Sequence, residues 1–190
     1  MNLTEYLHSN GHYQFEGYSQ EVQHQVDDLI ELTNTPNINV MEIGFNAGHS
    51  AEVFLKNNPS LTLTSFDLGY HNYVLTGKKY IDETYPNRHT LILGDSTITV
   101  PQHSGSFDVI FIDGGHDYDV AKKDLENCMR FAHKDTIVII DDTIYTSGWE
   151  AYYTIGPTKA WIEYTESKVI ELNRKEYSRW RGMSWGKYKI

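Results

Sequence analysis

The sequence predicts a single-domain α/β fold built on a doubly wound, mostly parallel sheet of seven strands. Three observations lead there. Short apolar runs recur along the chain with helical patterns between several of them, the signature of βαβ units whose strands are buried on both faces. The length, 190 residues, suits one domain with a sizeable core. Nearly every apolar run ends in a carboxylate, at the strand ends where open α/β sheets bind their ligands.

The elements follow in order. Residues 1–36 read as an N-terminal helical segment and lid, and residues 37–190 as the core. A helix is expected over residues 20–32, where Val22, Val26, Leu29 and Ile30 share one face and Ser19 stands as N-cap. INVMEIG, residues 38–44, is the first strand, and residues 50–56 the helix after it. Residues 61–69, 90–96 and 107–115 give strands two, three and four. Ala121, Leu125, Cys128 and Ala132 then repeat at helical spacing. TIVIIDD, residues 136–142, is the fifth strand, and Pro157 is expected to open a helix in its first turn. Two late strands are expected, over residues 168–172 and 183–189.

Composition excludes several classes. No window of 18 apolar residues exists, so no membrane span is expected. The N-terminus lacks a signal pattern, and one cysteine, Cys128, makes no internal disulfide. Both fit a cytoplasmic protein. The net charge of −10 is uneven: residues 1–150 carry 8 Lys and Arg against 22 Asp and Glu, and residues 151–190 carry 8 against 4. The acidic body disfavours nucleic acid as a partner. The basic C-terminal stretch reads as a solvated face. Oligomeric state is not fixed by the sequence, and a homo-oligomer is compatible with it.

The strand ends carry the chemistry. MEIGFNAGHS sets Glu42, Gly44 and Gly48 as E-x-G-x-x-x-G. The glycines allow a sharp turn and close approach to a ligand, and the acid suits a cationic ligand rather than a pyrophosphate. Read alone, the motif is equally a tight strand-to-helix turn. Asp67 ends strand two at the spacing where α/β folds place an acid on ribose hydroxyls. Gly94, Asp95 and Ser96 end strand three. Asp113 ends strand four, and Asp141 and Asp142 end strand five. Strands four and five lie roughly 4.8 Å apart if adjacent. At ~5 Å and an effective dielectric of about 20, each carboxylate pair repels by about 3 kcal/mol. A hard divalent cation, Mg²⁺ first, would relieve that repulsion; the alternative is that Asp141 and Asp142 point to opposite faces. His116 lies on a loop with two glycines and reads as a base or a substrate contact, or as a donor to a loop carbonyl. Asp117 or Asp119 caps the next helix, and His49 reads as helix surface.

In combination these motifs resemble the class I S-adenosylmethionine-dependent methyltransferases, with their Rossmann-like core, from about Met41 to the C-terminus. The E-x-G-x-x-x-G turn, Asp67, GDS, DGGH, the Asp141–Asp142 pair and the late GPTKAW…RGMSWGK segment carry the resemblance. Within that superfamily the chain is similar to small-molecule O-methyltransferases of the macrolide-sugar kind and to the cephalosporin-hydroxylase group. The resemblance implies S-adenosylmethionine as cofactor, with Glu42, Gly44, Asn46 and Gly48 at its methionine part, Asp67 and Leu68 at the ribose, and Gly94, Asp95, Ser96 and Asp113 completing the pocket. It implies Mg²⁺ on Asp113, Asp141 and Asp142, with His116 as catalytic base toward a hydroxyl of a small-molecule acceptor. The chain departs from the pattern in lacking a Pro-Gly-Gly turn before strand five. Rival readings are a metal-independent small-molecule methyltransferase and a nucleoside-binding module without catalysis.

Aromatic residues flank the expected site. Tyr145, Trp149, Tyr152 and Tyr153 follow the carboxylate pair and suggest a wall over the substrate; Tyr13, Phe15 and Tyr18 suggest a cofactor lid.

Overall fold

The apolar runs assemble into one sheet of seven strands in a computed structural model that describes residues 1–146 and 151–190. In chain order the elements are α1 (Leu3–Ser9), α2 (Gln23–Leu32), β1 (Asn39–Ile43), α3 (His49–Asn57), β2 (Thr62–Asp67), α4 (Val74–Thr84), β3 (His89–Leu93), α5 (Ser96–Gln102), β4 (Phe107–Ile112), α6 (Tyr118–Met129), β5 (Ala132–Asp141), α7 (Tyr152–Ser167), β6 (Val169–Glu176) and β7 (Gly182–Tyr188). Their spatial order is β3-β2-β1-β4-β5-β7-β6. The first five strands run parallel, and β7 pairs antiparallel with both β5 and β6.

Strand alternation sorts the core into two layers. Val40, Val109, Phe111 and Ile139 face a layer with Leu29, Phe54 and Ile81, supplied by α2, α3 and α4. Met41, Ile110, Ile112, Val138 and Ile140 face Val100, Leu125 and Trp161, supplied by α5, α6 and α7. Successive strand side chains point to opposite faces, so apolar residues at every position demand helices on both sides. The order in which strands are added switches sides between β1 and β4, so the carboxyl ends of these parallel neighbours border the crevice where open α/β sheets bind ligands. Among the described residues no helix is long and apolar enough to cross a membrane.

Several elements differ from the sequence expectation. Ser19 does not cap α2: residues Ser19–Glu21 form a short 3₁₀ turn, and α2 starts at Gln23 with Val22 as N-cap. Val22 is extended and buried, which holds it out of the helix. Helix α6 ends at Met129, and Ala132 belongs to β5, opposite Phe107. Pro157 lies inside α7, in its second turn rather than its first. Helices α4 and α5 stand where no helix was expected.

Candidate active site

The turn after β1 is shaped by backbone conformations that favour glycine and asparagine. Gly44, Asn46 and Gly48 have φ of 96°, 52° and 93°. A Cβ at Gly44 would lie 1.8 Å from the carbonyl oxygen of Asp113, so β1 and β4 pass in contact there. Gly48 opens α3, where a Cβ would crowd the Phe45 ring at 2.9 Å. The Asn46 and Gly69 N–H groups both donate to Asp67, each at 2.7 Å. Asp67 is half-buried, and its carboxylate keeps further lone pairs for a ligand. Leu68 and Leu93 beside it are 50% and 46% exposed, an apolar surface at the ends of β2 and β3.

Glu42 lies deeper than the other residues of this turn. It has no exposed surface, and the Ser50 and Ser65 hydroxyls donate to its two oxygens at 2.5 Å. Ser65 is its direct neighbour on β2, and His89 Nε2 lies 3.0 Å from the same hydroxyl. Burial pushes the Glu42 carboxyl up to about 7, against the pull of the two serines. Near neutrality it is therefore about half protonated, and its attraction for a cationic ligand is correspondingly reduced. At the end of β3, Gly94 has φ 134°, and Asp95 is the N-cap of α5, accepting from the Thr97 N–H at 2.8 Å. Asp95 is exposed and Ser96 half-buried at the rim of the crevice.

The ends of β4 and β5 meet around a small cavity walled by Asp113, Gly115, His116, Asp141, Asp142 and Pro157. Asp142 has φ 57°. That left-handed residue breaks the strand alternation, so Asp141 and Asp142 both face the same group. The group is a guanidinium. Arg181 Nη2 lies 3.7 Å from Asp141 Oδ2, and Nη1 lies 3.7 Å from Asp142 Oδ1. Gln25, fully buried on α2, donates to Asp141 Oδ1 at 2.7 Å. His116 Nε2 lies 3.1 Å from Asp142 Oδ2, with the imidazole 41% exposed.

The electrostatics follow from these contacts. Burial first, then Asp141 and Asp142, raises Asp113 well above the usual carboxylate range. Burial and Asp142 raise Asp141 also, while Arg181 and the Gln25 amide oppose them. The hydrogen bond to Asp142 raises His116, with burial opposing it. For Arg181, burial disfavours the charge, and Asp141, Asp142 and Asp113 outweigh it.

A divalent ion needs several oxygens converging at roughly 2.0–2.6 Å. The oxygens of Asp141 and Asp142 are instead engaged by Gln25, His116 and Arg181. Among the described residues no group of three or more His, Cys, Asp or Glu is placed to hold a metal ion. The residues present do not fit Mg²⁺.

Residues 41–143, more than half of the chain, match a family model described as a methyltransferase domain. The chain belongs to this methyltransferase family. Among solved structures, the methyltransferase is similar to a protein of Klebsiella pneumoniae provisionally assigned as an O-methyltransferase, with TM-score 0.74 and 18% identity over 99% of this chain and 88% of that one. TomG of Streptomyces achromogenes, an O-methyltransferase in complex with SAM, gives TM-score 0.74 at 12% identity, again over 99% and 88%. The SAH-bound methyltransferase PaMTH1 of Podospora anserina gives 0.65 at 16%, over 87% and 78%. These likenesses show the fold, that of class I S-adenosylmethionine-dependent methyltransferases. No curated protein matches the chain by sequence.

Segments remote in sequence pack around this end of the methyltransferase sheet. Phe15 packs edge-on against His49 and Tyr73, and Tyr18 stacks on His49 at 4.1 Å, over the start of α3; Tyr13 is exposed. His49 is not helix surface: it is 2% exposed, and burial lowers its pKa to about 4. Of the expected aromatic wall, Tyr153 lies 5.8 Å from the His116 ring, Tyr145 is bonded to Ser184, and Tyr152 projects outward; Trp149 lies outside the described residues. Asp117 occupies the N-cap position of α6 without a side-chain cap bond.

Three residues were given no role by the sequence reading: Gln25, and Arg181 and Gly156, which stand in the late segment that carries the resemblance. A Cβ at Gly156 on α7 would lie 2.1 Å from the His116 carbonyl, so this glycine lets α7 press on the His116 loop. The signal for Arg181 was the basic C-terminal stretch, which is not all solvated face: this arginine is buried against the acidic body.

Proposed function

We propose that this methyltransferase moves the methyl group of S-adenosylmethionine to a hydroxyl of a small molecule. The observation that supports it is the His116–Asp142 pair at 3.1 Å, a partly exposed imidazole on a buried carboxylate. The chain's residues fit the cofactor. Asp67 offers free lone pairs for a vicinal diol, and the exposed Leu68 and Leu93 offer apolar contact for a purine. Gly44 and Gly48, with φ of 96° and 93°, hold the tight turn after β1 against which the cofactor would lie.

When bound, S-adenosylmethionine supplies an activated methyl, which leaves alignment and proton removal to the protein. Asp142 accepts from Nε2–H of neutral His116 and so selects the tautomer whose Nδ1 lone pair is free. In this reading Nδ1 removes the acceptor's proton, and Asp142 stabilises the imidazolium that forms. Magnesium, which the sequence resemblance implies, takes no step here, because Arg181 faces the carboxylates meant to bind it.

The test is S-adenosylhomocysteine formation across a panel of hydroxylated small molecules. His116→Ala should keep cofactor affinity by calorimetry and lose about 10²–10⁴ in rate. A near-wild-type rate in that variant removes His116 from the chemistry. Cofactor binding without turnover on any acceptor favours a binding module instead.

A further inference from the structure

Four buried charged atoms at the end of β5 make no hydrogen bond: Asp141 Oδ2, Asp142 Oδ1, and Nε and Nη2 of Arg181. The carboxylates and the guanidinium face each other by charge alone, across gaps of 3.7 Å from Nη2 to Asp141 and from Nη1 to Asp142. The arrangement is built rather than incidental. Gly182, next to Arg181, touches Thr143, next to Asp142, so closely that a Cβ would lie 2.0 Å from the Thr143 carbonyl. The Thr143 N–H donates to the Gly182 carbonyl at 3.0 Å, and the Tyr177 N–H to that of Arg181 at 2.7 Å. From the other side Gly17 covers the guanidinium, where a Cβ would sit 3.0 Å from Nη1. The Arg181 side chain is 9% exposed.

We infer that Arg181 is the site's permanent cation and stands in place of a divalent metal. A guanidinium carries its charge at every working pH and spans two carboxylates with one planar group. A metal ion here would need the same carboxylate oxygens and would be repelled by the guanidinium. Arg181 therefore balances Asp141 and Asp142, and through Asp142 it positions His116. It is a positioning residue, and the enzyme works without metal. The effect on rate rests on His116 being the base; the exclusion of metal does not, and it is read without cofactor or acceptor.

The experiment is a Mn²⁺ titration followed by electron paramagnetic resonance, with thermal unfolding in Mn²⁺, Mg²⁺ or EDTA. Wild type should bind no Mn²⁺ below about 1 mM and keep one melting temperature in all three. Arg181→Met should melt lower and regain about 3 °C or more in ~5 mM Mn²⁺, because the uncovered carboxylates then have an ion to hold. Its methyl-transfer rate should fall and recover partly with Mn²⁺, a rescue that a merely structural role would not produce. Saturable one-site Mn²⁺ binding by wild type, or Arg181→Met that folds and ignores metal, overturns the inference. If Arg181→Met does not fold, the wild-type titration decides alone.

Discussion

Replacing Glu42 by glutamine should reverse its effect on stability as pH rises. The carboxyl has no exposed surface, and its pKa moves from 4.5 to about 7 on folding, chiefly through burial. Below the unfolded pKa both states are protonated, and there is no penalty. Between the two pKa values the unfolded chain ionises while the native chain keeps its proton, so stability falls with rising pH. Above about 7 the native group ionises too, and the penalty is constant. A shift of this size corresponds to about 3 kcal/mol over that window. Glutamine keeps the shape and removes the titration. It also rearranges the bonds from Ser50 and Ser65, a pH-independent cost of about 1 kcal/mol. Glu42→Gln should thus be less stable than wild type near pH 4.5 and more stable by about 2 kcal/mol at pH 8. Urea unfolding followed by the fluorescence of the four tryptophans, at half-unit pH steps, measures the difference directly. Titrating groups that do not interact with Glu42 cancel in the subtraction. A stability difference flat across pH 4.5–8 would refute the reasoning.

Three further outcomes follow from the site. Asp142→Asn removes the group that raises the His116 pKa; wild-type activity should climb through a pH limb above about 6.5, and in the variant that limb should move to lower pH as the rate drops. Gly156→Ala puts a methyl 2.1 Å from the His116 carbonyl; it should lower stability by about 1–3 kcal/mol and reduce kcat more than S-adenosylhomocysteine affinity, by calorimetry. Asp67→Asn should weaken that affinity by about 10- to 100-fold, the worth of a charged hydrogen bond, while leaving the rate at saturating cofactor nearly unchanged.

The sheet was legible because its central strands are buried on both faces, so VIFI and IVII read as unbroken apolar runs and VMEI is interrupted only by Glu42. Helices α4 and α5 were not. In α4 the interruption at Gly77 weakens the helical pattern, and it is there because a Cβ would strike the Ala47 carbonyl at 2.1 Å. Helix α5 has seven residues with Pro101 among them, too short for periodicity to register. The site was legible where residues sit at strand ends, since topology alone brings the ends of β1, β4 and β5 together. Arg181 and Gln25 come to Asp141 from 40 and 116 residues away in sequence. No local pattern announces such contacts, and one arginine in a basic stretch looks like any other. The orientation of Asp142 was also hidden, because it depends on a left-handed backbone angle that aspartate adopts only occasionally.

The place of β7 in the sheet bears on how the enzyme is made. It is inserted between β5 and β6, antiparallel to both. The five parallel strands can be laid down in succession as the chain leaves the ribosome, each with its own crossover helix. Until the β6–β7 hairpin docks, β5 is an open edge, the kind of surface on which nascent chains mispair with one another. The same docking event carries in Arg181. Completion of the sheet and neutralisation of its acids are therefore one step, and a chain stalled before it would be both sticky and catalytically silent.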